Sequence, residues 1–285
     1  MGAAGQGHTI DAGGVIRVNS IEATAVAFDE ALLARIEDAG VNASAPREQR
    51  WVDGWLLRLS PGKAKRARCI QPVAPGRLGI DAKLALCLPM FAAAGLRPYV
   101  RITPFSEPPG LDDHLGSLGM VRIDDTRVMV LASIDALAAG EVAAPTDAGA
   151  IEPTDAPTFA EWVGAARGST ASERRAHAER IARPAVPHHG VLARNRRGEV
   201  VAAGQVVIEG RIAGLYDVFT AEAERGRGHA ERVCRHLLAF AARRGATVGY
   251  LQVDAANETA RRIYRRLGFA DGYSYHYRTP PDDAP

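Results

Sequence analysis

Apolar residues follow two spacings along the chain, one typical of strands and the other of helices. In the second half, β-branched runs bounded by turn residues predict strands at 191–194, 200–209, 212–220, 247–253 and 273–277. Helices are predicted at 172–183, 230–241 and 257–267. Strands that alternate with helices in this way predict an α/β fold, with a mixed sheet and flanking helices.

The first half of the chain has a similar order of elements. Strands are predicted at 51–59, 67–73, 98–102 and 127–131, and helices at 81–94 and 111–118. A helix ends in Leu-Gly before an apolar residue in both halves, at 118–120 and at 267–269. We interpret the pattern as a diverged internal duplication that gives two domains in tandem; because helix–Gly–strand is a common order, a chance match is the alternative.

A segment without apolar periodicity separates the two halves. Residues 139–157 are rich in Ala, Gly, Pro, Asp and Thr, and Pro145, Pro153 and Pro157 disfavour a helix there. We therefore predict four regions. These are a disordered N-terminus at 1–17, a first domain at 18–138, a linker at 139–157 and a second domain at 158–285.

Composition and charge exclude several classes of protein. The chain is 47% apolar and 24% charged with a net charge of +2, which is typical of a soluble globular protein and too small to indicate nucleic-acid binding. Its longest apolar stretch, 85–96, is too short to span a membrane, and 1–14 lacks the features of a signal peptide. The three cysteines have no metal-ligand spacing. We expect a cytoplasmic protein with no membrane, nucleic-acid or metal partner.

One local charge excess stands out. Six arginines lie between Arg225 and Arg244 with Glu231 as the only acidic residue. The excess begins in the run 225–230 (Arg-Gly-Arg-Gly-His-Ala), which follows a strand and opens an amphipathic helix. Helix N-termini present unpaired amides and a positive dipole end, and glycines allow close approach of an oxyanion. This pattern predicts a phosphate site, whereas a solvated basic face or an RNA-binding segment is the alternative.

The spacing of the loop excludes two common nucleotide motifs. No Gly-Lys-Ser/Thr tripeptide follows it, and Glu231 stands where a third dinucleotide-binding glycine is required. The loop instead resembles the Arg/Gln-x-x-Gly-x-Gly/Ala signature of the GNAT superfamily of N-acetyltransferases. Asn257, Ala260, Tyr264 and the pair 268–269 (Gly-Phe) resemble the second signature of that superfamily.

This resemblance implies a site for acetyl-CoA, with CoA as product, in a gap where the strand that ends at Thr220 diverges from the strand 247–253. By position, the strand residues Val218, Phe219 and Thr220 would contact the pantetheine arm and the thioester. The loop residues that would bind the pyrophosphate are Arg225, Gly226, Arg227, Gly228, His229 and Ala230. Asn257 would lie beside the arm, and the Tyr264 hydroxyl would protonate the departing thiolate. Without the signature, Tyr264 would be interpreted as a core aromatic residue.

The base that deprotonates the amine is less evident. In related ribosomal-protein N-terminal acetyltransferases a glutamate occupies the position of Gln252, and a glutamine cannot accept a proton. Asp217, Glu209 and a water chain are the alternatives, of which we prefer Asp217 because it lies on the strand that faces the cleft. His188 and His189 are adjacent on a strand and should point to opposite faces, which argues against a shared metal.

The first half lacks the same signatures. Arg77 and Gly79 are not at the required spacing, and Asp81 places negative charge at the helix start. We therefore expect a degenerate GNAT-like half that completes the fold or forms a wall of the acceptor pocket. The predicted function is acetyl transfer to a primary amine of a small molecule or peptide by a monomer or homodimer. The alternative is a non-catalytic acyl-CoA-binding module.

Overall fold

One continuous sheet runs through the molecule. The computed structural model describes residues 28–138, 146–182 and 185–281. Its strands are β1 Gln49–Val52, β2 Trp55–Arg58, β3 Ile70–Pro72, β4 Val100–Ile102, β5 Val121–Leu131, β6 Ala148–Thr154, β7 His188–Asn195, β8 Val200–Glu209, β9 Ile212–Thr220, β10 Val248–Asp254 and β11 Ala270–Thr279. Its helices are α1 Glu30–Ala43, α2 Ile80–Ala93, α3 Leu111–Ser117, α4 Asp135–Ala138, α5 Ala156–Ala166, α6 Ala171–Ala182, α7 His229–Ala242 and α8 Glu258–Arg266.

The strand order joins the two halves of the chain. The eleven strands follow the order β1-β2-β3-β4-β11-β5-β10-β9-β8-β7-β6. The last strand, β11, pairs antiparallel with both β4 and β5, and β5 also pairs antiparallel with β10. Only β3–β4 and β9–β10 are parallel pairs among the described strands. The predicted α/β fold with a mixed sheet and flanking helices is confirmed.

Two apolar layers cover the two faces of the sheet. On one face, α7 packs its apolar side over the second-half strands, with Val233, Leu237 and Leu238 fully or almost fully buried. On the other face, α1 contributes Ile36 to a cluster that contains several tyrosines of β9, β10 and β11. Among the described residues, no helix is long and apolar enough to cross a membrane.

The predicted linker contains regular structure. Ala148–Thr154 forms β6, which is the edge strand beside β7, so Pro153 can lack an amide donor without breaking a ladder on both sides. Pro157 lies in the first turn of α5, where Asp155 Oδ1 accepts a hydrogen bond from the Thr158 amide (2.7 Å). The expectation that this proline disfavours a helix was wrong, because proline is well tolerated in a first helical turn. Residues 139–145 of the linker, and the predicted disordered segment 1–17, lie outside the described residues.

Several further elements differ from the prediction, and the helices α4 and α5 are two of those that were not predicted. The single strand predicted at 51–59 is a hairpin of β1 and β2, because Asp53 and Gly54 take positive φ angles of 43° and 86° and reverse the chain. The helix α1 was not predicted, and it packs against the strand face opposite to α7. The remaining predicted helices and strands lie within a few residues of their predicted positions.

Candidate active site

An opening between β9 and β10 forms the centre of the site. The two strands pair in parallel from Ile212 with Val248 to Leu215 with Leu251, and no pair follows within these strands although both continue. A register shift in the β8–β9 pair bends β9 at this point, where Asp217 has a φ of +49°. The predicted divergence of the two strands is therefore present.

The register shift at Asp217 forms a bulge in β9, and the backbone of β9 beyond this bulge faces the opening. The Ala221 amide donates to the Val201 carbonyl of the neighbouring chain segment (2.9 Å). Because successive residues of a strand point their polar groups to alternate sides, the amide and carbonyl groups of Val218 and Thr220 face away from β8. Val218 and Thr220 are two of the three residues that were predicted to contact the pantetheine arm, whereas the backbone groups of the third, Phe219, face β8 by the same alternation.

The loop after β9 presents free amides at the start of α7. Gly226 and Gly228 have φ angles of +79° and +85°, and Gly228 is the N-cap of the helix. The first helical bond runs from the Arg232 amide to the Gly228 carbonyl (3.1 Å). Among the described residues, no group accepts from the amides of 226–231. Free amides at a helix N-terminus, beside glycines with positive φ, fit a diphosphate group.

Ion pairs neutralise much of the predicted arginine excess. Arg227 lies 2.9 Å from Glu224 and 3.3 Å from Asp147, and Glu231 pairs with both Arg235 and Arg266. Arg225 is exposed and lies 3.8 Å from Glu222. The backbone amides of the loop, more than its charges, therefore make it suitable for an anion.

His229 lies under the loop as a buried side chain. Neither ring nitrogen has a hydrogen-bond partner in the described part of the chain, and its Nε2 lies 3.6 Å from Glu224. His229, Glu224 and Asp147 bring potential ligand atoms within 4.8 Å of one another. The Arg227 guanidinium contacts both carboxylates, so a cation already balances this group.

The helix α8 carries the other two predicted residues. Asn257 is its N-cap and accepts a hydrogen bond from the Ala260 amide (3.1 Å), so part of the Asn257 side chain is used by the helix itself. Tyr264 packs edge-on against Phe269, with ring centroids 6.2 Å apart. Burial raises the pKa of Tyr264 above its usual value, which keeps the phenol protonated.

Asp217 holds several cationic and polar groups in place. It accepts hydrogen bonds from Arg167 Nη1 (2.6 Å) and Gln205 Nε2 (2.7 Å), and His177 Nε2 lies 3.2 Å away. Burial raises the pKa of Asp217, but His177 and the charge of Arg167 outweigh this effect and hold the pKa well below its usual value. A carboxylate with so low a pKa is a poor proton acceptor, and these contacts count against Asp217 as the base.

The other two positions considered for the base are also occupied or distant. Glu209 pairs with Ile212 at the start of β9, at the far end from the opening, and accepts from Asn42. Gln252 accepts hydrogen bonds from Arg66 and from Tyr275 (2.9 Å). Both side chains therefore have structural partners.

Helices α5 and α6 border the opening beside Asp217 and Phe219 of β9. Trp162 packs edge-on against Phe219 (6.1 Å), and the Arg167 guanidinium lies 5.5 Å from the same ring. A cavity of about 210 Å³, called the inner cavity below, lies next to Asp217 and is lined by α5, α6 and the first-half residues 60–64. A larger cavity of about 830 Å³ adjoins it and shares Ser60 and Arg180. The first half thus forms one wall of the cleft.

Sequence reasoning did not identify the residues of these two helices that lie near Asp217. Arg167, His177 and Arg180 come from the end of α5 and from α6, about 30 to 45 residues before the start of β9, and no motif marks them. The signal for α5 itself was available, since Asp155 precedes apolar residues at helical spacing, at Phe159, Ala160 and Val163. Their arrangement around Asp217 depends on how the helices pack.

The two adjacent histidines point to opposite faces of β7. His188 Nδ1 lies 3.0 Å from Gln205 Oε1, and its Nε2 lies 3.1 Å from the Ala43 carbonyl. His189 instead stacks on Phe240 of α7, with centroids 3.6 Å apart. A single metal ion therefore cannot be held by this pair.

The corresponding loop of the first half carries its own carboxylate. Asp53 accepts hydrogen bonds from the amides of Arg77 (2.8 and 2.9 Å) and Leu78 (2.7 Å), just before α2. The Leu78 hydrogen bond is the largest of the effects that lower the pKa of Asp53. A fixed carboxylate thus occupies amides that a phosphate would need, in agreement with the expected loss of cofactor binding in this half.

Comparisons with known proteins agree with this geometry. A sequence model of the family "Probable histone acetyltransferase Rv0428c C-terminal" matches residues 31–278. The protein YobR of Bacillus subtilis (strain 168), described as an uncharacterized N-acetyltransferase, is 26% identical over 241 residues, which are 81% of this chain and 91% of that protein.

Solved structures show the same fold. A GCN5-related N-acetyltransferase from Kribbella flavida superposes with a TM-score of 0.61 at 21% identity, over 91% of this chain and 97% of that one. A tandem GNAT protein from the clavulanic acid biosynthesis pathway gives a TM-score of 0.53 at 14% identity, over 71% and 70% of the two chains.

Proposed function

Because the chain belongs to the family described as probable histone acetyltransferase Rv0428c C-terminal, and is an N-acetyltransferase of the GNAT superfamily, we propose that it transfers an acetyl group from acetyl-CoA to a primary amine. The observation that carries the proposal is the β9–β10 opening beside the unpaired amides at the start of α7. The opening admits an extended arm, and the amides bind the phosphates at one end of it.

The chain provides groups for each part of the reaction. Acetyl-CoA supplies a thioester whose carbonyl the amine attacks, so that a C–N bond forms and the C–S bond breaks. Backbone groups of Val218 and Thr220 face the opening and hold the arm by main-chain hydrogen bonds. The protonated Tyr264 donates its proton to the departing sulfur, because burial keeps the phenol neutral.

We assign proton removal from the amine to His177, with Asp217 as its positioning residue. His177 lines the inner cavity, and its Nε2 faces the Asp217 carboxylate at 3.2 Å. A carboxylate beside one ring nitrogen can orient an imidazole so that the other nitrogen is available to accept a proton. The proton of the ammonium group passes to the imidazole, which then exchanges it with solvent through the cleft.

Thiol release from acetyl-CoA, measured across a panel of primary amines, tests this function. We expect release with at least one amine, and a loss of about 100-fold in kcat for Tyr264→Phe, within the range for a general acid. Tyr99→Phe is the matched control, because it removes a hydroxyl from a buried tyrosine in the first half, directly before β4.

The base assignment has a separate readout. His177→Gln should lower kcat and flatten the rise of kcat with pH, whereas a purely structural role would change stability without changing the pH profile. Binding of CoA without thiol release from any amine would instead support the non-catalytic binding module.

A further inference from the structure

The charge of the acceptor cleft indicates what kind of amine it receives. In the inner cavity, the hydrogen bond from the Thr170 amide makes the largest contribution to the lowered pKa of Glu173. The charge of Lys63 lowers this pKa further. Arg174 pairs with Glu161 (2.8 Å), and Arg167 pairs with Asp217 (2.6 Å). The two ion pairs balance two of the cleft's arginines, and the charge of Lys63 acts on Glu173.

Arg180 is different from the other arginines of the inner cavity. It lies in the last turn of α6 and lines both cavities, at the passage between them. Within the described parts of the chain it makes no ion pair or hydrogen bond. Burial lowers the pKa of Arg180, and the neighbouring Arg66 lowers it further, while Asp217 raises it. A partly buried guanidinium without a partner is costly, and a ligand anion would relieve this cost.

The surroundings of Arg180 add a further guanidinium, whereas the second carboxylate of the inner cavity, Glu173, accepts a hydrogen bond from the Thr170 amide (2.8 Å). Arg66 donates to the neutral Gln252 side chain and lies 5.4 Å from the Tyr216 ring, next to the bulge of β9. Asp217 is the only acidic group among the effects that shift the pKa of Arg180, and it is already shared with Arg167 and His177. Three guanidinium groups therefore face one carboxylate at this end of β9.

We propose that the acceptor is an amine that also carries a carboxylate, such as a free amino acid, and that Arg180 binds this carboxylate. The inference rests on the proposed function. One unpaired arginine matches a single negative charge, and its planar guanidinium can hold a carboxylate through two parallel hydrogen bonds. The amine then lies in the inner cavity beside His177 and the β9–β10 opening.

The same charges oppose a basic acceptor. A lysine-rich peptide would bring additional positive charge towards Arg66, Arg167 and Arg180, and like charges in a partly buried cleft repel strongly. The larger cavity contains Arg47 and Glu48 together with Glu179, so its outer part is mixed in charge and gives no comparable preference.

Matched acceptors provide the test. Thiol release from acetyl-CoA is measured for free amino acids, for their carboxamides, for aminoalkyl phosphates and for a lysine-rich peptide. We expect kcat/KM to be about 10- to 100-fold higher for an amino acid than for its carboxamide, which is the range for a charge-assisted hydrogen bond. Arg180→Gln should abolish this ratio. Arg175→Gln, which alters an exposed arginine of the same helix, should preserve it.

The outcomes separate this inference from the proposed function. Acetylation of carboxamides or of the lysine-rich peptide in preference to amino acids would overturn the inference and leave the N-acetyltransferase function intact. A preference for aminoalkyl phosphates would overturn the carboxylate assignment, as would an unchanged ratio in Arg180→Gln. Because the ratio compares two substrates of one variant, a partial loss of folded protein does not affect it. No thiol release with any amine would overturn both proposals.

Discussion

The loop at the start of α7 allows a test of cofactor binding that needs no knowledge of the acceptor. Gly226 has a φ of +79°, and a Cβ added there would meet no atom within 4 Å. Gly226→Ala therefore causes no clash, and its only cost is the backbone conformation. That cost is about 1–2 kcal/mol for a residue with a side chain in the left-handed region.

The expected effect on affinity follows from this cost. The loop can relieve the strain by changing its backbone conformation, which turns its amides away from the direction in which they point in the structure. Holding the binding conformation then costs about 1–2 kcal/mol, so that CoA should bind about 5- to 30-fold more weakly. Stability should change little, because the loop relaxes in the free protein.

Gly245→Ala is the matched control. Gly245 has a φ of +87°, also has no atom within 4 Å of an added Cβ, and lies at the C-terminal end of α7, far from the loop. This variant should lower the melting temperature and leave CoA affinity unchanged. Titration calorimetry with CoA and thermal unfolding measure the two effects. Wild-type affinity in Gly226→Ala, or equal losses of affinity in both variants, would refute the assignment of the phosphate site.

Two further predictions concern buried charge. Glu37→Gln should lower the free energy of unfolding, measured by urea titration, by about 3–5 kcal/mol, because it leaves the buried Arg101 without its carboxylate. Asp38→Asn, the control in an exposed pair, should lower the same free energy by less than about 1 kcal/mol. Asp217 has a lowered pKa, so its contribution to stability is complete above the unfolded-state pKa of about 3.9 and is lost as pH falls towards the folded pKa. The stability difference between the wild type and Asp217→Asn should therefore be constant above about pH 5 and shrink below about pH 4. A difference that persists undiminished at low pH would contradict this assignment.

The parts of the site that depend on local sequence could be predicted. The glycines at 226 and 228, the helix that follows and the N-cap Asn257 each depend on the torsions or hydrogen bonds of a few neighbouring residues. The opening between β9 and β10 followed from the resemblance to a known superfamily, and the register of the β9–β10 pair then agreed with it. Local chemistry was enough for the loop and the N-cap, whereas the opening required the resemblance.

The electrostatics of the site could not be predicted in the same way. Asp217 was a reasonable base on its strand, but its pKa depends on His177 and Arg167, which come from helices that pack over the end of β9. The position of Pro157 was also misjudged, because a proline disfavours a helix or begins one according to the residues around it. Contacts between distant segments decide both cases.

The shared sheet explains how the first half of the chain contributes to the site. The strand β5 belongs to the first half of the chain, yet it lies between β10 and β11 of the second half. Removing β5 would expose the edges of β10 and β11 and would separate these two strands from each other. The same half also supplies residues 60–64 to the wall of the inner cavity, opposite α6. Because Asp53 accepts hydrogen bonds from the loop amides of its own half, we expect the first half to contribute to acceptor recognition and not to cofactor binding. Acceptor specificity in this family should therefore vary with the wall formed by residues 60–64 and with α6, while the loop at the start of α7 stays the same.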